Sequence, residues 1–403
     1  MSTFCIGFRT TTSAVVAGLA AAVLALTTAF AAPPVQAATA IILGTTFTPD
    51  SGAPRYIHGA MENFVKPTTL CGKESCDVEP LVTPEQFWPL SGWQDMTIGQ
   101  SIEQGVTIVD ASLLHKLSAG SDPVVVFGDS QSSTILTLEK RNLADLSDEE
   151  KSRLTFVLVA NPDRPNGGLL QRIAPFSIPF VNLNGYGATP TDTDIKTIDI
   201  VCQYDGIADF PRYPLNPFAM LNLIAGAAIH SSYITGPIEY TSAELNDASS
   251  NPTNQQTYGD TEYIMIPAKQ LPLVVPLRTF GDKTGLSAVT KPIADLVEPT
   301  LRVLVELGYD RNTPYGEPAK FGLFPKINPS DLAFDLSSAA QSGVRAALTD
   351  LGFSTPPPAP AAKKPAAVKA PGVKPAKSAA DRPQVRSGST RHTVAGPKRS
   401  PRH

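Results

Sequence analysis

A serine, two aspartates and a histidine in the middle of this chain have the types and the order needed for nucleophilic acyl chemistry. Phe127-Gly128-Asp129-Ser130-Gln131-Ser132-Ser133 places a serine between small residues, after a Val-rich apolar run and before a helical pattern. It approximates the strand-turn-helix elbow Gly-x-Ser-x-Gly, with Ser132 in place of the second glycine. A serine on such a turn stands clear of the sheet, and small residues two positions either side let strand and helix pack around it. The helix beginning at Gln131 directs backbone N–H groups at the hydroxyl, which favours developing negative charge. Ser130 is the candidate nucleophile; a Ser-rich loop or an ordinary helix N-cap is the plainer alternative.

Partners in the order Ser, Asp, His should follow. The run Val201-Cys202-Gln203-Tyr204-Asp205-Gly206-Ile207-Ala208-Asp209 supplies Asp205 at a strand end and Asp209 four residues later as the alternative acid. Of five histidines, His392 and His403 fall in a tail of unusual composition, and His58 and His115 precede the serine. His230 is left as the general base, with a structural histidine as the plainer reading. One oxyanion donor is expected from the Gln131 N–H. The other is expected from Leu43-Gly44-Thr45-Thr46-Phe47-Thr48, through the N–H of Thr45 or Thr46. Such a site needs no metal and no organic cofactor.

These residues have to be held by a sheet. The runs 40–43, 123–127, 155–160 and 196–202 read as strands buried on both faces, and Met96 to Leu117 and Ser132 to Asn142 read as helices. Apolar strands alternating with helices predict an α/β fold, a mostly parallel sheet with helices on both faces. Function in such sheets sits at the carboxyl ends of the strands. The apolar segment Phe210 to Ile229 is read either as a lid or wall for an acyl chain or as a plain core helix.

The full length of 403 residues with 42% hydrophobic content suits a globular protein and excludes collagen-like, coiled-coil and wholly disordered classes. The net charge of −4 conceals a split: residues 38–354 carry −15 and residues 355–403 carry +10. That last segment also holds 10 of the 38 prolines and shows no hydrophobic periodicity, so a disordered basic tail is predicted. Its expected role is contact with anionic cell-envelope material, or that of a solvated linker; no nucleic acid partner is expected. Residues 1–37 read as a signal peptide, with Arg9, an uncharged run from Ala14 to Ala32 and a Val35-Gln36-Ala37 cleavage site. An uncleaved anchor is the alternative. The chain is expected to be exported, secreted or cell-envelope associated, which makes Cys71 and Cys76 a disulfide candidate. Cys202, in an apolar run, reads as a small buried hydrophobe.

The motifs together resemble the PE-PPE domain family, cutinase-like serine α/β hydrolases of mycobacteria and related actinobacteria. The resemblance rests on Leu43-Gly44-Thr45, on Gly128-Asp129-Ser130-Gln131-Ser132 and above all on Tyr204 to Pro211. Tyr213-Pro214-Leu215-Asn216, Ala225-Gly226, His230 with Tyr233, Leu271-Pro272-Leu273 and Pro276-Leu277-Arg278 extend it across Thr39 to Asp310. It implies a cutinase-like α/β-hydrolase fold with a triad of Ser130, His230 and an aspartate of the 205–209 segment. The implied function is a serine esterase or lipase acting on acyl esters or envelope lipids, or an acyltransferase moving fatty acyl groups between trehalose glycolipids. A non-catalytic glycolipid-binding envelope protein on the same fold is the rival reading. Two departures stand out. A signal sequence occupies the place of the N-terminal PE or PPE segment, and Asp129 puts a carboxylate beside the nucleophile, which implies lower activity or an altered acyl preference.

Overall fold

A computed structural model describes residues 38–234 and 240–354. The predicted signal peptide and basic tail lie outside the described residues. No helix among the described residues is long and apolar enough to cross a membrane.

The core is a seven-stranded sheet of β1 (Ala38–Leu43), β2 (Cys76–Leu81), β3 (Val124–Asp129), β4 (Leu154–Val159), β7 (Lys196–Cys202), β8 (Gln255–Tyr258) and β9 (Thr261–Ile266). Its order is β2-β1-β3-β4-β7-β9-β8, parallel throughout except for the antiparallel β8–β9 edge pair. A small hairpin of β5 (Ser177–Ile178) and β6 (Leu183–Asn184) lies outside it.

Side chains alternate between the two faces, as a two-residue period requires. Ile41, Leu43, Val124, Val126, Phe156 and Leu158 pack beneath α2 (Ile98–Ala119) and α3 (Gln131–Asn142). Their neighbours Ile42, Val125, Phe127, Val157, Val159 and Ile200 face the other layer. That layer contains α1 (Pro54–Ala60), α4 (Pro217–Ala225), α5 (Ser242–Ser249) and α7 (Ser287–Glu306). Each fully buried aliphatic side chain contributes about 1.5–3 kcal/mol. Two further helices, α6 (Val275–Thr284) and α8 (Pro329–Asp350), pack against α7.

The four predicted strands and two predicted helices are present within two residues of their expected bounds. Absent from the sequence reading are the edge strand β2, whose alternating charges and Pro80 obscure it, the β8–β9 pair, and helix α7, which contains Pro292 and Pro299. Cys71 and Cys76 form a disulfide at the start of β2. Cys202 is a free, buried cysteine.

Candidate active site

Strand β3 continues through Gly128 and Asp129, so Ser130 is the hinge between strand and helix. Its backbone adopts φ 58° and ψ −110°, a conformation unfavourable for a residue with a Cβ. Three contacts hold it there. The Ser130 N–H donates to the Val159 carbonyl at 2.9 Å. Ser132 Oγ donates to the Gly44 carbonyl at 2.6 Å and accepts the Asp129 N–H at 2.8 Å. At Gly128 a Cβ would come within 2.9 Å of the Ser132 backbone, so that position admits only glycine without displacement. Ser132 therefore replaces the second glycine of the elbow with a side chain that ties the turn to the β1 loop.

Ser130 Oγ lies 2.7 Å from His230 Nε2. The other ring nitrogen, Nδ1, sits 2.8 Å and 3.0 Å from the two carboxylate oxygens of Asp205. Asp205 is fully buried, and its Oδ1 also accepts the N–H groups of Ile207 at 2.7 Å and Ala208 at 3.0 Å. Its Oδ2 accepts the Tyr233 hydroxyl at 2.7 Å, and that hydroxyl accepts the Cys202 N–H. Burial alone would raise the Asp205 carboxyl, yet His230, the Ala208 N–H and Tyr233 together hold it below the usual carboxylate range. Burial would likewise lower the imidazole of His230, and Asp205, followed by Asp129, holds it above its ordinary value.

Asp209 is placed elsewhere. Its carboxylate accepts two bonds from Arg311, at 2.6 Å and 3.0 Å, and one from the Tyr204 N–H at 2.8 Å. The structure thus brings Asp205, and not Asp209, to His230. His115 is exposed on α2, and His58 is exposed on α1 beside the disulfide loop.

The loop after β1 approaches the elbow directly. Gly44 is required by space, since a Cβ there would lie 2.1 Å from the Thr48 carbonyl. The Thr45 N–H donates to that same carbonyl at 3.3 Å. Thr46 Oγ1 donates to Gln131 Oε1 at 3.0 Å, and Gln131 Nε2 donates to Ser101 Oγ at 2.6 Å. The N–H groups of Thr46 and Gln131 have no acceptor among the described residues.

Sequence reasoning named Tyr233 and Asp129 through the family resemblance but not what they contact at this center. Tyr233, three residues after His230 in a series of turns, carries no periodic signal. Asp129 and Glu85 are both buried. Burial, opposed by His230 and reinforced by Asp205, pushes the Asp129 carboxyl up to about 7. Burial pushes Glu85 up to about 8, against the pull of the Thr83 hydroxyl.

The segment 210–229 is divided in use. Ala219 and Asn222 of α4 are buried, whereas Leu221 and Ile224 stand exposed. It is neither purely core nor purely surface.

Comparison with known proteins agrees with the motifs. The chain is 44% identical over 282 residues to the uncharacterized PPE family protein PPE42 of Mycobacterium tuberculosis, a match covering 69% of this chain and 46% of that protein. It is 38% identical over 292 residues to Esterase PE16 of the same species, covering 71% and 51% respectively. A more distant likeness, 29% over 240 residues, is to the diacyltrehalose acyltransferase Chp2, covering 57% and 62%. The chain spans about half the length of the first two relatives. Residues 75–310 match the PE-PPE domain, a span that starts downstream of the Gly44 loop. More than half of the described fold, with Ser130, Asp205 and His230 inside it, lies in that match, and the chain belongs to the PE-PPE domain family.

Proposed function

We propose that the protein is an exported serine hydrolase that cleaves acyl esters through an acyl-enzyme at Ser130. The carrying observation is the 2.7 Å approach of Ser130 Oγ to His230 Nε2, with Asp205 on the far side of the ring. In this reading Ser130 Oγ attacks the ester carbonyl while His230 takes its proton on Nε2. The charge then borne by the imidazolium is stabilised by Asp205, and the tetrahedral oxyanion is received by the N–H groups of Gln131 and Thr46. His230 returns the proton to the leaving alcohol, and the acyl group remains on Ser130. A second pass, with water as nucleophile, releases the acid and restores the serine.

Esterase PE16, more similar in sequence than the acyltransferase relative, supports water as the acceptor. The acyltransferase relative supports a second reading in which a sugar hydroxyl of a glycolipid takes the acyl group. The two share every step up to the acyl-enzyme. Exposed Leu221 and Ile224 on α4, between the acid and the base in sequence, suit the apolar wall that an acyl chain would need.

Labelling by a fluorophosphonate probe tests the core of this. The wild-type protein should be labelled and should hydrolyse p-nitrophenyl acyl esters, and Ser130→Ala should lose both. Hydrolysis by Ser130→Ala at the wild-type rate would exclude the assignment. Absence of labelling in folded wild-type protein would favour a non-catalytic glycolipid-binding role. Mass analysis of products formed from a trehalose acyl ester separates free acid from transferred acyl group.

A further inference from the structure

Two loops at the carboxyl edge of the sheet carry an aromatic patch that the acyl chemistry does not use. The first, residues 82–97, leaves β2 and enters α2; the second is the β5–β6 hairpin, which follows β4 and packs against α2. They meet through Trp88, whose ring lies 6.3 Å from that of Trp93 and 5.0 Å from that of Phe180. These are the only two tryptophans of the chain. Trp93 is 82% exposed, Phe176 75% and Phe180 70%, with Ile178 also exposed beside them. A surface cluster of this kind, built on two separate elements, marks an interaction site.

Its chemistry selects the occupant. The sequence has no charged residue between Glu85 and Asp95 or between Arg172 and Asp192, and Glu85 is buried. A surface for anionic lipid would present lysines or arginines, and a protein partner is normally met by a polar, charge-bearing rim. Indole rings, with an apolar body and one N–H donor, settle at the boundary between hydrocarbon and water. An electrically neutral lipid layer complements a patch that is aromatic and has the half-buried carboxylate of Asp95, turned against Gly92, as the charge at its rim.

The patch is also linked to the site. The Phe47 N–H donates to the Glu85 carbonyl at 3.2 Å, and the Gln86 N–H donates to Ser101 Oγ at 2.9 Å. Ser101 is the same residue that holds the Gln131 side chain. Phe47, next to Thr46 on the β1 loop, is exposed as well.

We propose that this patch docks the protein on an uncharged lipid surface and so presents Ser130 to esters held in that surface. The purpose of docking rests on the acyl chemistry proposed above; the binding itself does not.

Full-length Ser130→Ala protein mixed with phosphatidylcholine vesicles, which carry no net charge, tests the binding alone. Both tryptophans lie in the patch, so their emission should shift to the blue on binding, and the shift should persist at high salt. The double variant W93A/F180S, altered only at exposed positions, should bind about tenfold or more weakly while its melting temperature is unchanged. In the Ser130 background it should still turn over a soluble acetyl ester. No blue shift, or a double variant that partitions like its parent, overturns the proposal. So does a dimer whose emission is already blue without vesicles and which W93A/F180S dissociates, since the patch would then serve a second copy. Hydrolysis by Ser130→Ala would defeat the catalytic reading and leave the vesicle result standing.

Discussion

Asp205 illustrates how a buried carboxylate is kept ionised. Two backbone N–H groups, a tyrosine hydroxyl and an imidazole share its two oxygens. Donors of this kind stabilise the charged form against burial. Asp209, four residues away, is neutralised by Arg311 instead. The two aspartates should therefore fail differently. Asp205→Asn is expected to lower kcat of the folded protein by about a thousand- to ten-thousand-fold, because the imidazole loses its orienting partner. Asp209→Asn is expected to cost about 1–3 kcal/mol of stability through weakened bonds to Arg311, which Glu306 still pairs, and to the Tyr204 N–H, and to leave kcat of the folded protein near wild type. Kinetics and chemical denaturation on both variants separate the roles, and the reverse pattern would transfer the acid function to Asp209. The sequence offered both residues because both follow the same strand; a partner 102 residues away distinguishes them. At the neighbouring position, a carboxyl raised to about 7 leaves Asp129 largely uncharged in mildly acidic solution, which lessens its repulsion of a developing oxyanion.

At the scale of elements, the site depends on one turn and one loop stitched together. Ser132 reaches the carbonyl of Gly44, and Thr46 reaches the side chain of Gln131, so β1, β3 and α3 hold the elbow jointly. The central strands were legible in sequence because burial on both faces favours a largely apolar run. Strand β2 was not, since it is an edge and pairs with β1 alone. Helix α7 was hidden by two prolines, each of which disfavours a helix interior; its packing between α6 and α8 outweighs them. The disulfide anchors the first residue of β2 to the turn before it. Closing so short a loop stabilises by about 2 kcal/mol. A Cys71→Ser/Cys76→Ser protein should lose that amount in urea denaturation, with amide protection falling first in β2 and ester hydrolysis preserved. An unchanged denaturation midpoint would show that the edge strand is held by its ladder alone.

For the whole molecule, stability should depend on pH in a direction that buried carboxyls dictate. Burial pushes Glu85 to about 8, and Asp129 and Asp163 to about 7. Their folded values exceed the unfolded ones, so the fold retains protons that the unfolded chain releases above about pH 4. The stability they contribute is present below that value and is lost as pH rises through 7 to 8. Asp205 and Asp260, both held low, act in the opposite sense and lose their contribution as the solution becomes acid. The melting temperature should peak in mildly acidic buffer and fall by several degrees between pH 6 and pH 8.5, a loss on the order of a few kcal/mol. Asp163→Asn should flatten the decline. A melting temperature that rises over the same interval would contradict these carboxyl environments.

Sequence by itself determined what is local or scarce. An apolar run followed by a serine among small residues marks the elbow, five histidines reduce to one by position and order, and four central strands announce a parallel sheet. Only the tertiary structure decided which aspartate faces His230, which threonine N–H is already engaged, that Tyr233 shares the carboxylate, and that two distant loops assemble an aromatic patch. The threonine contact is a turn between Thr45 and Thr48 whose backbone geometry residue types alone do not fix; the other outcomes depend on atoms brought together from far along the chain, and such encounters leave no period or spacing in the residues that take part.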